Sequence, residues 1–128
     1  MALILVIDDQ ISIRTILAMV LKDLGHEVKL AEDGQKGIEL LEGSADFGLV
    51  ITDINMPNKN GNEVGRHVRN TYRSTIPVVA ITAFPQEADM ELFDDMIIKP
   101  FKLEKLRITV ARLINRSLPE KVSFLKSS

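Results

Sequence analysis

Five short runs of apolar residues recur along the chain, and this recurrence is the feature that most constrains its fold. The runs occupy residues 3–7, 28–31, 49–52, 76–82 and 96–98. Branched aliphatic residues dominate several of them, as in parallel strands that are buried on both faces. Pro77 lies near the start of the fourth run, where a strand tolerates proline. The pattern predicts five β-strands.

Helical periodicity fills the intervals between these runs. The clearest apolar stripe comprises Ile13, Ile16, Leu17, Val20, Leu21 and Leu24. Such spacing is typical of one face of an amphipathic helix. Gly25 suits a left-handed helix end, and Asp9 and Asp33 are candidate caps of the first two helices. A third helix carries Val64, Val68 and Tyr72, and a last stripe covers residues 103–114.

Strands that alternate with helices favour one architecture. Crossovers of this length join parallel strands with a right-handed turn and place helices on both faces of the sheet. We therefore expect a (βα)₅ unit, a doubly wound five-stranded parallel sheet within a three-layer α/β sandwich. A chain of 128 residues is long enough for one such domain with its own core.

Composition excludes several classes of site and partner. The chain has no cysteine, which rules out disulfides, thiolate metal sites and a thiolate nucleophile. Its net charge of −2 argues against a general nucleic-acid binder. The apolar run at the N-terminus is too short to span a bilayer and lacks the basic flank of a signal peptide. We expect a cytoplasmic location and no membrane partner.

Polar side chains with metal- and phosphate-binding chemistry stand at the ends of four predicted strands. They are Asp8 and Asp9 after the first, Asp53 after the third, Thr82 at the end of the fourth and Lys99 after the fifth. Ligands of open parallel sheets gather outside the carboxyl ends of the strands, so these side chains should lie together. The alternative, that the acids only cap helices, can explain any one of them but poorly explains the whole set.

The chemistry of these side chains points to a metal-assisted phosphoryl site. Two carboxylates about 5 Å apart repel by roughly 3 kcal/mol at an effective dielectric constant of about 20, so three of them require a cation. Oxygen ligands without His or Cys favour Mg²⁺, and Mn²⁺ could replace it. Lys99 adds a positive charge, and the Thr82 hydroxyl can bond to a phosphoryl oxygen. Asp53 would be the nucleophile that forms an acyl phosphate.

Four segments together resemble a bacterial response-regulator receiver domain of the CheY-like kind. They are IDD at 7–9, ITDINMPNKNG around Asp53, VVAITA ending in Thr82 and Ala83, and IIKPF around Lys99. The resemblance covers residues 1–117 and leaves residues 118–128 as an expected C-terminal tail. It implies a flavodoxin-like fold.

The resemblance also implies a role for each site residue. Asp53 would accept phosphate from a phosphohistidine of a histidine kinase or phosphotransfer protein. Asp8, Asp9, Asp53 and the backbone carbonyl of Asn55 would surround Mg²⁺. Thr82 would be the switch hydroxyl and Lys99 the phosphate-binding lysine, followed by a cis bond to Pro100. Such a protein loses its phosphate slowly by self-hydrolysis and is not a turnover enzyme.

A stand-alone receiver acts through protein–protein contact. We therefore expect an unknown downstream protein partner, no direct nucleic-acid contact, and a monomer or weak dimer. A receiver fragment of a larger response regulator or hybrid kinase stays open as an alternative.

Four features depart from the usual family pattern. Asn60 replaces an aspartate before Gly61, and Met96 stands where Tyr or Phe is usual. Phe84 places a bulky side chain near the site. Only 16 residues separate Thr82 from Lys99, which predicts a shortened fourth helix at about residues 86–93. We hypothesise that phosphorylation reorders residues 83–95, since the usual rotating aromatic is missing.

Three other functions fit the sequence less well. A haloacid dehalogenase-type phosphatase would need a DxD arrangement after the first strand and a cap insertion, whereas the acids here are adjacent. A flavodoxin-like electron carrier would need a phosphate-binding loop where this chain has two acids. A degenerate receiver that serves only as a binding module is disfavoured because all five site side chains are present.

Overall fold

The structure, a computed structural model, describes residues 1–43, 46–71 and 75–116. The predicted tail at residues 118–128 and the predicted helix position Tyr72 lie outside the described residues. None of the helices in the described part of the chain is long and apolar enough to cross a membrane.

Five parallel strands form one sheet, as the alternating pattern predicts. The strands are β1 (Leu3–Ile7), β2 (Glu27–Ala31), β3 (Phe47–Asp53), β4 (Val78–Thr82) and β5 (Asp95–Ile98). Their spatial order is β2-β1-β3-β4-β5, with every neighbouring pair parallel. The chain therefore moves outward from β1 to β2 and then crosses to β3. The carboxyl ends of β1 and β3 form the switch point where ligands bind in such sheets.

Helices cover both faces of the sheet. They are α1 (Ile11–Asp23), α2 (Gly34–Gly43), α3 (Gly61–Asn70) and α4 (Leu103–Arg116). Alternate residues of β1 enter two separate cores. Leu5 and Ile7 pack on the side of α2 and α3, whereas Ile4 and Val6 pack on the side of α1 and α4. Burial on both faces explains why the central strands are continuous apolar runs.

Two of the three expected helix ends are confirmed. Gly25 has φ 93°, a left-handed conformation that suits glycine. The Lys36 backbone N–H donates to Asp33 Oδ1 at 2.8 Å, so Asp33 caps α2. The expectation that Asp9 could cap α1 is wrong, because the cap position is Gln10 and its side chain makes no capping bond. Asp8 instead accepts the Gln10 backbone N–H at 2.9 Å, and Asp9 is exposed.

The shortened fourth helix takes the form of two 3₁₀ turns, Pro85–Glu87 and Met90–Leu92, and not a continuous helix over 86–93. The Asn62 side chain explains the interruption. Its Nδ2 donates to the Glu87 carbonyl at 2.9 Å, and its Oδ1 accepts the Asp89 backbone N–H at 2.9 Å. These bonds engage backbone groups that a helix would use itself, so the backbone between the turns is extended.

Candidate functional site

Three carboxylates meet at the carboxyl ends of β1 and β3. The register pairs Ile7 with Thr52, so the residues that follow these strands are brought together. One carboxylate oxygen each from Asp8, Asp9 and Asp53 lies within 4.8 Å of the other two. Asp8 is 1% exposed and Asp53 7%, whereas Asp9 faces solvent. Two buried acids beside a third carry a repulsion that needs positive charge nearby.

Lys99 supplies part of that charge. Its Nζ donates to Asp8 Oδ2 at 3.1 Å, to Asp53 Oδ2 at 3.2 Å and to Gln10 Oε1 at 3.2 Å. The Lys99–Pro100 peptide bond is cis, as expected. Three carboxylates and one ammonium leave a net charge of −2, which one divalent cation would cancel.

The two oxygens of Asp53 have different surroundings. Its Oδ1 accepts the Ile54 backbone N–H at 2.7 Å, whereas Oδ2 is bonded to Lys99. Burial raises the pKa of the Asp53 carboxyl, and the neighbouring Asp8 charge raises it further. Lys99 and the Ile54 N–H oppose this rise in the pKa. A cation bound among the carboxylates would also favour the ionised form of Asp53, which is the nucleophilic one.

Thr82 ends β4, next to β3 in the sheet, and its side chain is fully buried. Its Oγ1 accepts the Phe84 backbone N–H at 2.9 Å. Among the described residues it makes no hydrogen bond to the three carboxylates. The hydroxyl proton is therefore available for another acceptor at this edge of the sheet.

A cleft of about 200 Å³ opens onto the site. Its lining residues are Asp9, Gln10, Asp53, Asn55, Ala83, Phe84 and Lys99. Since a water molecule occupies about 30 Å³ in the liquid, the cleft has room for a hydrated cation and a phosphoryl group. Phe84 is 51% exposed and flanks this opening.

The donor set fits a hard divalent cation. All three clustered side chains offer oxygen, and no other group of three or more potential ligand side chains within such a distance occurs in residues 1–43, 46–71 and 75–116. Mg²⁺ prefers a few carboxylates and retains several waters, which suits one exposed and two buried acids. Asn55 lines the same cleft and could add its backbone carbonyl.

Two residues at the site are not among those that the sequence predicts. Gln10 bonds to Lys99 from the start of α1, and Arg14 Nη1 donates to the Asp8 carbonyl at 2.6 Å. Gln10 directly follows the acidic pair, so its position in the loop could have suggested it. Arg14 lies one helical turn further on, and its contact depends on the angle at which α1 leaves the sheet.

A family model for the response regulator receiver domain matches residues 4–111. The chain belongs to this family. Receiver domains of two-component systems are signalling switches and not turnover enzymes, so this assignment decides against the phosphatase and the electron carrier. The predicted (βα)₅ flavodoxin-like architecture is also confirmed.

Relatives agree with this assignment over most of the chain. The probable transcriptional regulator ycf27 of Cyanophora paradoxa is 36% identical over 89% of this chain but only 48% of its own length. The chain thus spans about half the length of the curated relatives that it matches first. Among solved structures, the chemotaxis protein CheY4 of Vibrio cholerae is 32% identical, with a TM-score of 0.79, over 88% of this chain and 98% of CheY4. The response regulator TrrA of Thermotoga maritima is 29% identical, with a TM-score of 0.80, over 88% of this chain and 99% of TrrA.

Proposed function

We propose that Asp53 is the phosphoacceptor of this receiver and that its modification requires Mg²⁺. The observation that carries the proposal is the convergence of Asp8, Asp9 and Asp53 within 4.8 Å, with Lys99 bonded to two of them. Asp53 lines the cleft, with Oδ1 held by the Ile54 N–H and Oδ2 bonded to Lys99. Asp8 has a similar pair of bonds, but it is 1% exposed and is not among the residues that line the cleft. This arrangement orients one oxygen for attack on phosphorus.

Each neighbouring residue has a part in the proposed transfer. Asp8, Asp9, Asp53 and the Asn55 carbonyl hold the cation, which supplies charge neutralisation for the incoming phosphoryl group; Mn²⁺ could serve in place of Mg²⁺. Lys99 then bonds to a phosphoryl oxygen in place of Asp53. The Thr82 hydroxyl donates a hydrogen bond to another phosphoryl oxygen. TrrA was solved in complex with Mg(2+)-BeF, which supports a magnesium-dependent site in this chain.

The partners follow from this chemistry. The phosphoryl donor is a phosphohistidine of a histidine kinase or phosphotransfer protein, and the phosphate is later lost by slow self-hydrolysis. The receiver unit spans residues 1–117, works in the cytoplasm as a monomer or weak dimer, and signals by contact with another protein. Similarity to CheY4 over almost all of that chain supports a stand-alone receiver. Similarity to half of ycf27 supports the alternative of a receiver joined to a further domain.

Intact mass after incubation with Mg²⁺ and acetyl phosphate tests the central proposal. We expect one phosphoryl adduct on the wild-type chain, none on Asp53→Asn and none when EDTA replaces Mg²⁺. Asp23→Asn is the matched control, because Asp23 is an exposed acid at the far end of α1. Full adduct yield on Asp53→Asn, or no adduct on the wild-type chain, would disprove the assignment of Asp53.

A further inference from the structure

A chain of hydrogen bonds links Thr82 to Asn55 through the first 3₁₀ turn. Thr82 Oγ1 accepts the Phe84 N–H at 2.9 Å, and the Phe84 carbonyl accepts the Glu87 N–H at 3.0 Å. The Glu87 carboxylate in turn accepts a hydrogen bond from Asn55 Nδ2. Asn55 lies two residues after Asp53 and lines the same cleft. Both ends of this chain of bonds therefore stand at the phosphorylation site.

Asn62, at the start of α3, binds the 3₁₀ turn Pro85–Glu87 from a second side. Its amide donates to the Glu87 carbonyl and accepts the Asp89 N–H, both at 2.9 Å. Glu87 is thus held by its side chain, by its N–H and by its carbonyl. We call the contacts of Glu87 with Asn55 and Asn62 the latch.

The residues that follow are anchored in a different way. Phe93 is 8% exposed and belongs to the buried core. Arg69 donates to the Leu92 carbonyl at 3.1 Å and to Asp94 at 2.6 Å, and the Asp94 N–H donates to the Val78 carbonyl at 2.8 Å. Residues 92–94 are thereby fixed by apolar burial and an ion pair.

Residues 84–91 lack such burial. Phe84 is 51% exposed, Met90 is 49% exposed, and the two 3₁₀ turns contain no buried residue. Ala88 packs partly against the core, and the other attachments of the segment are hydrogen bonds, namely those of Asn55 and Asn62 and that of the Phe84 N–H to Thr82. Few buried apolar contacts and solvent-exposed hydrogen bonds are the features of a segment that opens at low cost.

We propose that Glu87 is a positioning residue that latches residues 84–91 against the phosphorylation site, and that this latch opens when Asp53 carries a phosphoryl group. The inference rests on the proposed function. When the Thr82 side chain rotates to bring its hydroxyl to a phosphoryl oxygen, Oγ1 moves away from the Phe84 N–H and the turn that holds Glu87 is released. Glu87 then leaves Asn55, and residues 84–91 become the changed surface while residues 92–94 stay in place.

Amide hydrogen exchange of the whole chain tests this proposal, with Mg²⁺ and beryllofluoride as the phosphoryl mimic. In the wild-type protein the mimic should raise exchange across residues 84–91 about threefold to tenfold, the change expected from losing one or two net hydrogen bonds. Exchange at Asp94 should not change, because its N–H donates to the Val78 carbonyl outside the segment. Binding of the mimic is measured separately by native mass spectrometry. If the mimic does not bind, that result counts against the proposed function and not against the latch.

Variants separate positioning from simple loss of structure. Glu87→Ala should show raised exchange at residues 84–91 without the mimic and little further change with it. Glu87→Gln keeps an oxygen that can accept from Asn55, so its exchange should match the wild-type protein in both states. Glu91→Ala is the control, because it removes an exposed acid from the same segment but outside the latch.

The affinity for the mimic gives a second readout. The wild-type protein must open the latch when beryllofluoride binds, whereas Glu87→Ala has no latch to open, so Glu87→Ala should bind Mg²⁺ and beryllofluoride about threefold more tightly or more, if one net hydrogen bond is lost. Glu87→Gln and Glu91→Ala should bind the mimic as the wild-type protein does. Bound mimic with unchanged exchange at residues 84–91, or a Glu87→Ala variant that behaves as the wild-type protein does, would overturn the latch.

Discussion

Lys99 is the residue on which the charge balance of the site depends. Its ammonium lies 3.1 Å from Asp8 and 3.2 Å from Asp53, two carboxylates that are almost fully buried. A lysine in this position stabilises the site without a metal, but it also occupies oxygens that a cation would use. Lys99 should therefore affect metal binding and phosphoryl transfer in opposite directions.

Replacement of Lys99 by methionine tests this opposition. Lys99→Met removes the competing charge and leaves three carboxylates, so Mg²⁺ should bind roughly tenfold more tightly in calorimetric titrations, a change of about 1.4 kcal/mol. The yield of the Asp53 phosphoryl adduct should nevertheless fall, because a positive charge beside the phosphoryl group is lost. Lys102→Met, at an exposed lysine nearby, should change neither quantity. Weaker Mg²⁺ binding by Lys99→Met would contradict this view of Lys99.

His26 should make the stability of the fold depend on pH. Its Nδ1 accepts the Ala2 N–H at 3.1 Å, and burial, followed by the positive amino terminus, lowers its pKa below the usual 6.5. The unfolded chain therefore binds a proton near pH 6.5 that the folded chain does not. The contribution of His26 to stability should be constant above that pH and fall as the pH drops below it. In urea unfolding between about pH 7.5 and 5.5, His26→Gln should show a shallower fall. Equal slopes in the two proteins would show that His26 does not contribute.

Individual site residues differ in how far the sequence could reveal them. Asp8, Asp9, Asp53 and Lys99 could be placed together because strand ends in a parallel sheet must meet, whatever the details of packing. Glu87 and Asn62 could not, because their partners are 25 to 32 residues away and the contacts depend on how the loop after β4 lies on α3. Only the strand-end residues can be placed together from the topology of the sheet alone.

At the level of elements, the loop between β3 and α3 is held against the site by close backbone packing. Gly61 donates its N–H to the Ile54 carbonyl at 2.9 Å. A Cβ atom at Gly61 would lie 2.1 Å from the Asp53 carbonyl oxygen and 2.9 Å from Ile54 Cα. Both are backbone atoms, so the strand end that carries Asp53 would have to move.

Substitution of Gly61 should therefore damage both fold and function. Gly61→Ala should lower the free energy of unfolding by about 1–3 kcal/mol, as forced overpacking does, and should slow phosphorylation of Asp53. Gly43→Ala is the matched control, because nothing lies within 4 Å of a Cβ atom at that helical, exposed position. It should leave stability unchanged or raise it by up to about 1 kcal/mol. Urea unfolding and adduct formation measure the two effects, and equal results for the two variants would refute this account.

The elements themselves were predictable to different degrees. The first strand matches its predicted bounds, and Asp33 caps α2 as expected, because local sequence determines both. The segment between β4 and β5 was predicted as a short helix, which its composition allows. Asn62 on α3 prevents a continuous helix there by binding the backbone of Glu87 and Asp89. A contact from another element overrides the local preference there.

At the scale of the whole molecule, the proposed metal site connects β1 and β3, two neighbouring interior strands of the sheet. Asp8 and Asp9 follow β1 and Asp53 ends β3, and both strands are buried on their two faces. A cation that binds all three carboxylates in the folded chain has no such site in the unfolded chain. Binding must therefore stabilise the entire cooperative unit and not only the loops around the site.

Mg²⁺ should accordingly raise global stability by an amount that its affinity sets. At a concentration one hundred times its dissociation constant, the gain in the free energy of unfolding should be about 2.7 kcal/mol, measured by urea unfolding against sodium chloride of equal ionic strength. Mn²⁺ should give a similar gain, because it also accepts oxygen ligands. Asp9→Asn is the informative variant, since Asp9 is exposed and its neutralisation leaves no buried charge unpaired. Most of the Mg²⁺-dependent gain should disappear in that variant, whereas an equal gain in both proteins would place the stabilising ion elsewhere.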